Sequence, residues 1–275
     1  MKRSFILLFL ISTLFVKTYA RIIIVDINGG GQFTSIQAAI NAASTNDTIK
    51  VWPGTYFEQI NINKNVKILG SGYENTVITG NFNPTVLIST GVIQWFKISS
   101  SIGDGVNMSG GTVSNCVITS CARDGIRSIG GTNSLVINCV VVYNGRYGIN
   151  ADQGSTLSVT NTISFWNQSY GFYNYYWNNT FLYVSFSNGT LSSVSSSQGC
   201  INQDPLFVSS TDYHLSEGSP CWNKGNDSYL DPDGTRSDMG YFGGPNCPIY
   251  PTVFEIRIEP SGSGVNLRAK ARANY

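Results

Sequence analysis

Four charged residues fall at a spacing that could do chemistry. Arg146 follows Arg123 by 23 residues, and Asp124 follows Asp104 by 20. Arginine grips a carboxylate as a two-pronged donor, and a pair of aspartates can hold Ca²⁺ through oxygen. A uronic-acid polymer would suit both. In β-elimination a base removes the proton α to the uronate carboxylate, and a cation stabilises the charge that develops. On this reading Arg123, Arg146 and Asp124 are the catalytic candidates. Arg127 adds a substrate-binding cation, and Asp104 with Asp124 is the candidate Ca²⁺ site. An arginine acts as the base only if its pKa is strongly lowered. A solvated, charge-paired turn explains the same residues, because structural ion pairs also cluster.

Aromatic residues keep the same step. Trp166 follows Tyr143, and Tyr170 follows Tyr147, each by 23 residues. Exposed rings hold sugar faces by apolar contact, so Tyr147, Tyr170 and Trp166 are the substrate-binding candidates. Phe172, Tyr173, Tyr175, Tyr176 and Trp177 crowd the next turn. Rings turned inward would only fill the interior. A third cluster, Asp231, Asp233 and Asp238 with Asp227 nearby, lacks the ligand pattern of an EF-hand, and turn formation by Asp and Gly accounts for it.

These spacings have meaning only if the chain repeats, and it does. Asn115-Cys116-Val117-Ile118 recurs as Asn138-Cys139-Val140-Val141 and loosely as Asn161-Thr162-Ile163-Ser164, each 23 residues on. Asp124-Gly125-Ile126, Tyr147-Gly148-Ile149 and Tyr170-Gly171-Phe172 keep the same step. Each unit holds two or three short β-branched or aromatic segments between Gly, Asn, Ser and Asp, without a helix-length stretch. The pattern predicts an all-β fold, a single-stranded right-handed parallel β-helix in which each residue stacks on its counterpart one turn away. Cys116 over Cys139 and the column Ile126, Ile149 and Phe172 then point inward. Asn115, Asn138 and Asn161 form a corner ladder whose amides bond along the column.

Composition agrees. Only 12% of the 275 residues are charged, while there are 27 Asn, 33 Ser, 21 Thr and 29 Gly. Helix formers are sparse, and a net charge of +1 gives no field to attract phosphates, which excludes a nucleic-acid binder. At the front, Thr34-Ser35-Ile36-Gln37 has capping-box spacing, and Ile36, Ala39, Ile40 and Ala43 follow at helical spacing, so a short N-terminal helix should cap the coil. Residues 199 to 247 lose the period and become rich in Pro, Gly, Asp and Cys, as an irregular C-terminal cap would.

Lys2 and Arg3 precede an apolar run from Phe5 to Val16, and Thr18-Tyr19-Ala20 supplies small residues for cleavage. Residues 1 to 20 read as a signal peptide, residues 21 to 247 as the β-helix domain, and residues 248 to 275 as a linker and tail with a strand near Val253 to Ile258. The expected location is secreted or at the cell surface, and a monomer is expected. Six cysteines follow the signal; Cys200, Cys221 and Cys247 are the candidates for a bridge, and Cys116 and Cys139 for a buried apolar stack.

The sequence resembles the pectin-lyase-like right-handed β-helix proteins. Two stretches carry the resemblance: Phe33 to Ala43 with Asp47 to Tyr56 and Val66 to Gly70, and Asp204-Pro205-Leu206-Phe207 with Tyr213-His214-Leu215, Gly218 to Cys221 and Asp233 to Gly240. The second is similar to the closing segment of many exported bacterial β-helix proteins. The resemblance implies a polysaccharide substrate. It supplies no catalytic residue. Gly54-Thr55-Tyr56-Phe57-Glu58 resembles the first methylesterase motif, but the later motifs of those enzymes have no counterpart. The polygalacturonase and pectate lyase signatures are missing too, and the one histidine, His214, lies in the closing segment. The expected function is therefore to bind, and in the fuller version to cleave, an extracellular polysaccharide along the turns around residues 104 to 177. The rival is a non-catalytic surface or structural rod.

Overall fold

The computed structural model describes residues 20–274 apart from 153, 175–178, 187–197, 249 and 262–263, with only the backbone described for 186 and 250–274. Residues 1–19 of the predicted signal peptide and the aromatic residues Tyr175, Tyr176 and Trp177 lie outside the described residues.

The chain winds as a right-handed parallel β-helix with three faces. The first face has eight strands, from Ile22–Val25 through Thr112–Ser114 and Ser134–Ile137 to Thr180–Leu182. The second has seven, including Val117–Thr119, Val140–Val142 and Ile163–Phe165. The third has six, from Ile60–Ile62 through Val106–Met108, Ile126–Ser128 and Ile149–Ala151 to Phe172–Asn174. Strands of two to four residues suffice because each buries one or two inward side chains against its neighbours above and below. Ile126 pairs with Ile149 and Ile149 with Phe172, so the column read from the 23-residue step is present. Cys116 and Cys139 are both buried in the same interior.

The helix Ile36–Ala42 covers the first turn with Ile36, Ala39 and Ile40. Its N-cap is Ser35, one residue later than the spacing suggested, and the acid of the box comes from elsewhere. The Glu58 carboxylate accepts from Ser35 Oγ at 2.7 Å, Ile36 N at 2.8 Å and Gln37 N at 3.0 Å. Three donors at a helix N-terminus satisfy one carboxylate.

The closing segment is irregular, as the sequence predicts, and covers more of the coil than its end. It leaves the coil through a bridge between Ser185 and Ile201, but then runs back along the second face instead of stopping over its end. Tyr213, Cys221, Met239, Tyr241 and Phe242 form a second core with Val117, Val140, Val142, Ile163 and Phe165, and reach Tyr73 near the front. Tyr73 and Tyr241 meet edge to face at 4.8 Å. The physical reason is in the strands: Val140-Val141-Val142 is apolar on both sides, and a strand buried on both faces needs a second layer.

This roof also takes over the corner asparagines. Asn115, Asn138 and Asn161 are buried and hold φ of 43, 51 and 50 degrees. Their amides donate to the roof, not along the ladder: Asn115 to Tyr241 O at 2.8 Å, Asn138 to Asp238 O at 3.2 Å, and Asn161 to Ser237 Oγ at 3.1 Å. The bonded ladder is at the opposite corner, where Asn144 Nδ2 donates to Asn167 Oδ1 at 2.9 Å. All six cysteines are free thiols, so the bridge expected among Cys200, Cys221 and Cys247 is absent. The tail is longer in strand than expected: Tyr250–Ser261 pairs antiparallel with Gly264–Asn274.

Candidate functional site

The roof covers the second face and its corner with the first; of the two faces it leaves free, the third carries the predicted charged residues. Its outward column, in register from strand to strand, is Asn61, Leu87, Asn107, Arg127, Asn150 and Tyr173. Beside it run the turns that carry Asp104, Asp124, Arg123, Arg146, Tyr147 and Tyr170. The repeat therefore brings together every predicted site residue except Trp166.

Asp104 and Asp124 are buried, and their carboxylates hold the coil's turns. Asn83 Oδ1 accepts from Asp104 N at 3.1 Å, Asp104 Oδ1 from Asp124 N at 3.1 Å, and Asp124 Oδ1 from Tyr147 N at 3.3 Å. Each acceptor satisfies a backbone donor one turn on. The charges are then matched by arginine. Arg146 grips both oxygens of Asp124, with Nε 2.6 Å from Oδ1, and Asn150 Nδ2 donates to Oδ2 at 2.8 Å. Arg123 and Arg127 lie 3.7 Å and 3.8 Å from the two oxygens of Asp104. Arg127 also bonds Asp152 through Nε at 2.7 Å. With its amide turned to satisfy both atoms, Asn107 donates to Asp104 Oδ2 at 3.2 Å.

The geometry bears on the expected base and on the expected Ca²⁺ site. The hydrogen bonds that Arg146 donates to Asp124 push its pKa up, the opposite of what a proton-accepting arginine needs, so Arg146 is a fixed cation. The Asp104 and Asp124 pair also fits Ca²⁺ poorly. A cation would have to displace Arg146 from Asp124 and sit within reach of Arg123 and Arg127. Among the described residues no group of three or more His, Cys, Asp or Glu side chains is gathered around one point.

The aromatic column divides. Tyr147 and Tyr173 stack at 4.5 Å and 5 degrees, with Tyr170 at 5.9 Å from Tyr147, and the Arg146 guanidinium lies 4.9 Å from the Tyr147 ring centre. Tyr170 is 41% exposed. This stack stands on the third face. Trp166 does not: it stacks on Tyr143 at 5.3 Å and meets Phe165 and Phe207 edge on, packed against the second core. Sequence reasoning placed no weight on Asn107, Asn150 and Asp152. The first two were detectable, since Asn107, Arg127, Asn150 and Tyr173 are spaced by 20, 23 and 23 residues.

Residues 22–100 match the family model for pectinesterase. That stretch covers the N-terminal turns of the parallel β-helix. The match ends before Asp104, so the pectinesterase-like turns contain the helix, Glu58 and the start of the third face but none of its charged cluster. Glu58, in the stretch that resembles the first methylesterase motif, is occupied by the helix N-terminus. No curated protein matches the chain. Among solved structures, the pectin methylesterase from carrot is 15% identical with a TM-score of 0.44, over 62% of this chain and 64% of that one. The chain thus spans a little under two thirds of the carrot enzyme. The pectin methylesterase from Erwinia chrysanthemi is 14% identical with a TM-score of 0.40, over 62% and 80% of the two chains. Pectate lyase Pel9A is 15% identical with a TM-score of 0.38, over 82% and 96%. Among the described residues no helix is long and apolar enough to cross a membrane.

Proposed function

We propose that this protein binds an extracellular polysaccharide along the third face of its β-helix, between Asn107 and Tyr173. One observation carries the reading: the third face, which the roof does not cover, has a register-aligned column of amides, a guanidinium and a phenol beside a stack of three tyrosines. Amides and hydroxyls exchange hydrogen bonds with sugar hydroxyls, and partly exposed rings supply apolar contact. Repetition at the strand spacing gives a repeating polymer several equivalent contacts.

Binding is favoured over lyase chemistry because Arg146 stays protonated and Asp124 is ion-paired, which leaves neither as a free base. Export, read from residues 1 to 20, gives such a face access to extracellular polymers. The test uses the chain from Arg21 onward in gels cast with a panel of plant and microbial polysaccharides, with Ca²⁺ and with chelator. The expected result is retarded migration in at least one gel, with no unsaturated products by absorbance and no new reducing ends. Product formation would replace binding with catalysis; unretarded migration throughout would favour the structural rod.

A further inference from the structure

The charged cluster on the third face is already balanced, and we infer that the sugar units bound there are uncharged. The inference rests on the polysaccharide-binding reading. Between residues 80 and 174 the charged side chains are Lys97, Asp104, Arg123, Asp124, Arg127, Arg146 and Asp152. Lys97 belongs to the second face, in register with Val117. The other six stand together, three of each sign, and every arginine has a carboxylate within 4 Å: Arg123 has Asp104, Arg127 has Asp104 and Asp152, and Arg146 has Asp124.

A uronate would have to compete with carboxylates for Arg127 and Arg146, and would meet Asp104 beside Arg123. Asp104 and Asp124 are 1% and 0% exposed in their side chains and cannot turn into water when displaced, so each would be left as an unpaired buried charge. Exchanging one carboxylate for another also brings no gain in pairing, while the displaced aspartate repels the incoming anion. The cluster that looked like a uronate clamp in the sequence is therefore closed to uronates.

What the face still offers is neutral chemistry. Asn150 lies outward between Arg127 and Tyr173, gives its amide nitrogen to Asp124, and leaves Oδ1 buried without a partner. A buried acceptor without a donor is unfavourable, and a sugar hydroxyl can donate to it without bringing a charge. Tyr173, partly exposed, is the register neighbour whose movement would admit a sugar hydroxyl without breaking an ion pair. The Tyr147, Tyr170 and Tyr173 rings add apolar contact that requires no charge.

The experiment compares retardation of the chain from Arg21 onward in gels containing neutral hexose polymers and in gels containing polygalacturonate, at salt from about 0.02 M to about 0.5 M, a range that takes screening from weak to strong. The expected result is binding to a neutral polymer with less than a twofold change across the salt range, and none to polygalacturonate. Asp152→Asn, at the rim, removes one carboxylate and should create severalfold, salt-sensitive retardation by polygalacturonate. Wild-type binding to polygalacturonate that weakens with salt would overturn the inference while leaving the polysaccharide reading intact. No binding to any polymer would overturn both.

Discussion

Asp124 reaches across one turn of the coil to Arg146, whose guanidinium grips both of its carboxylate oxygens. The same carboxylate accepts from the backbone of Tyr147 and from the Asn150 amide. A fully buried anion is therefore tied to a cation that is still 36% exposed. Removing the cation strands the anion, whereas removing the anion lets the arginine turn to water. Arg146→Ala should destabilise by about 2 kcal/mol, less than a fully buried pair loses because the guanidinium is partly solvated. The double variant Asp124→Asn with Arg146→Met should recover much of that loss. Thermal melts of the three proteins decide it; equal losses in the single and double variants would contradict this account.

Tyr170 and Trp166 look equivalent at the 23-residue step but occupy different surroundings. Trp166 braces the roof against Phe165 and Phe207, so Trp166→Ala should cost about 3 kcal/mol, as for other large-to-small changes at packed sites. Tyr170 stands on the free face, and Tyr170→Ala should change stability by less than about 0.5 kcal/mol while weakening polysaccharide retardation. Melting temperature and gel mobility, measured on both variants, separate the two roles.

The fold was legible because a stacked coil repeats its own constraints. Ile126, Ile149 and Phe172 must each fill one position of the interior, and their spacing states the turn length. The grouping of Arg123, Asp124, Arg127 and Arg146 followed from the same step. What a periodic reading misses is whatever folds back from outside the period. The roof departs from the repeat, so its return to Tyr73, and its capture of Asn115, Asn138 and Asn161, had no counterpart in spacing. Only the doubly apolar run Val140-Val141-Val142 signalled a missing layer. Charge pairing was hidden for a related reason: Asp124 meets Arg146 after 22 residues and Arg127 meets Asp152 after 25, steps set by side-chain reach and not by the backbone repeat.

Glu58 provides a test of what the stretch Gly54 to Glu58 does. Its carboxylate holds Ser35 and the first two helical N–H groups. Glu58→Ala removes all three acceptors and should lower stability by about 1–2 kcal/mol, the scale of a lost helix cap. Retardation by polysaccharide should be unchanged, since Glu58 caps the helix and the proposed binding stretch runs from Asn107 to Tyr173. A large loss of binding with an intact fold would place Glu58 in the functional site.

The thiols should behave as core residues. Burial pushes Cys116, Cys121, Cys221 and Cys247 up to about 12, and Cys139 also well above its ordinary value. The thiolate is the reactive species, so these five should resist modification in the native state. Cys200 is the partly exposed one. A thiol reagent should label one cysteine in native protein and six after unfolding, and reductant should leave the melting temperature unchanged. Fewer than six after unfolding would indicate a bridge.

The roof should loosen as pH rises. Asp238 is 4% exposed, accepts from Asn223 N at 2.6 Å, and gives its own N–H to Asp231 Oδ2 at 3.0 Å. Burial raises its pKa from 3.8 to about 7, with the neighbouring Asp231 and Asp233 adding to the shift. Between those values the folded state binds a proton that the unfolded chain releases. Stability from this group is therefore full below about pH 4 and declines as pH rises to about 7. Asp47 acts in the opposite direction. The Arg21 guanidinium holds it down at about 2, so its contribution is lost as pH falls from about 4 to about 2. Together they place the greatest stability on the acidic side of neutrality. Asp238→Asn keeps the acceptor for Asn223 and removes the titration. It should melt with the wild type at about pH 4 and above it at about pH 8, where the wild type carries a buried charge. Parallel melting curves for the two proteins across that range would show that Asp238 is not the group that titrates.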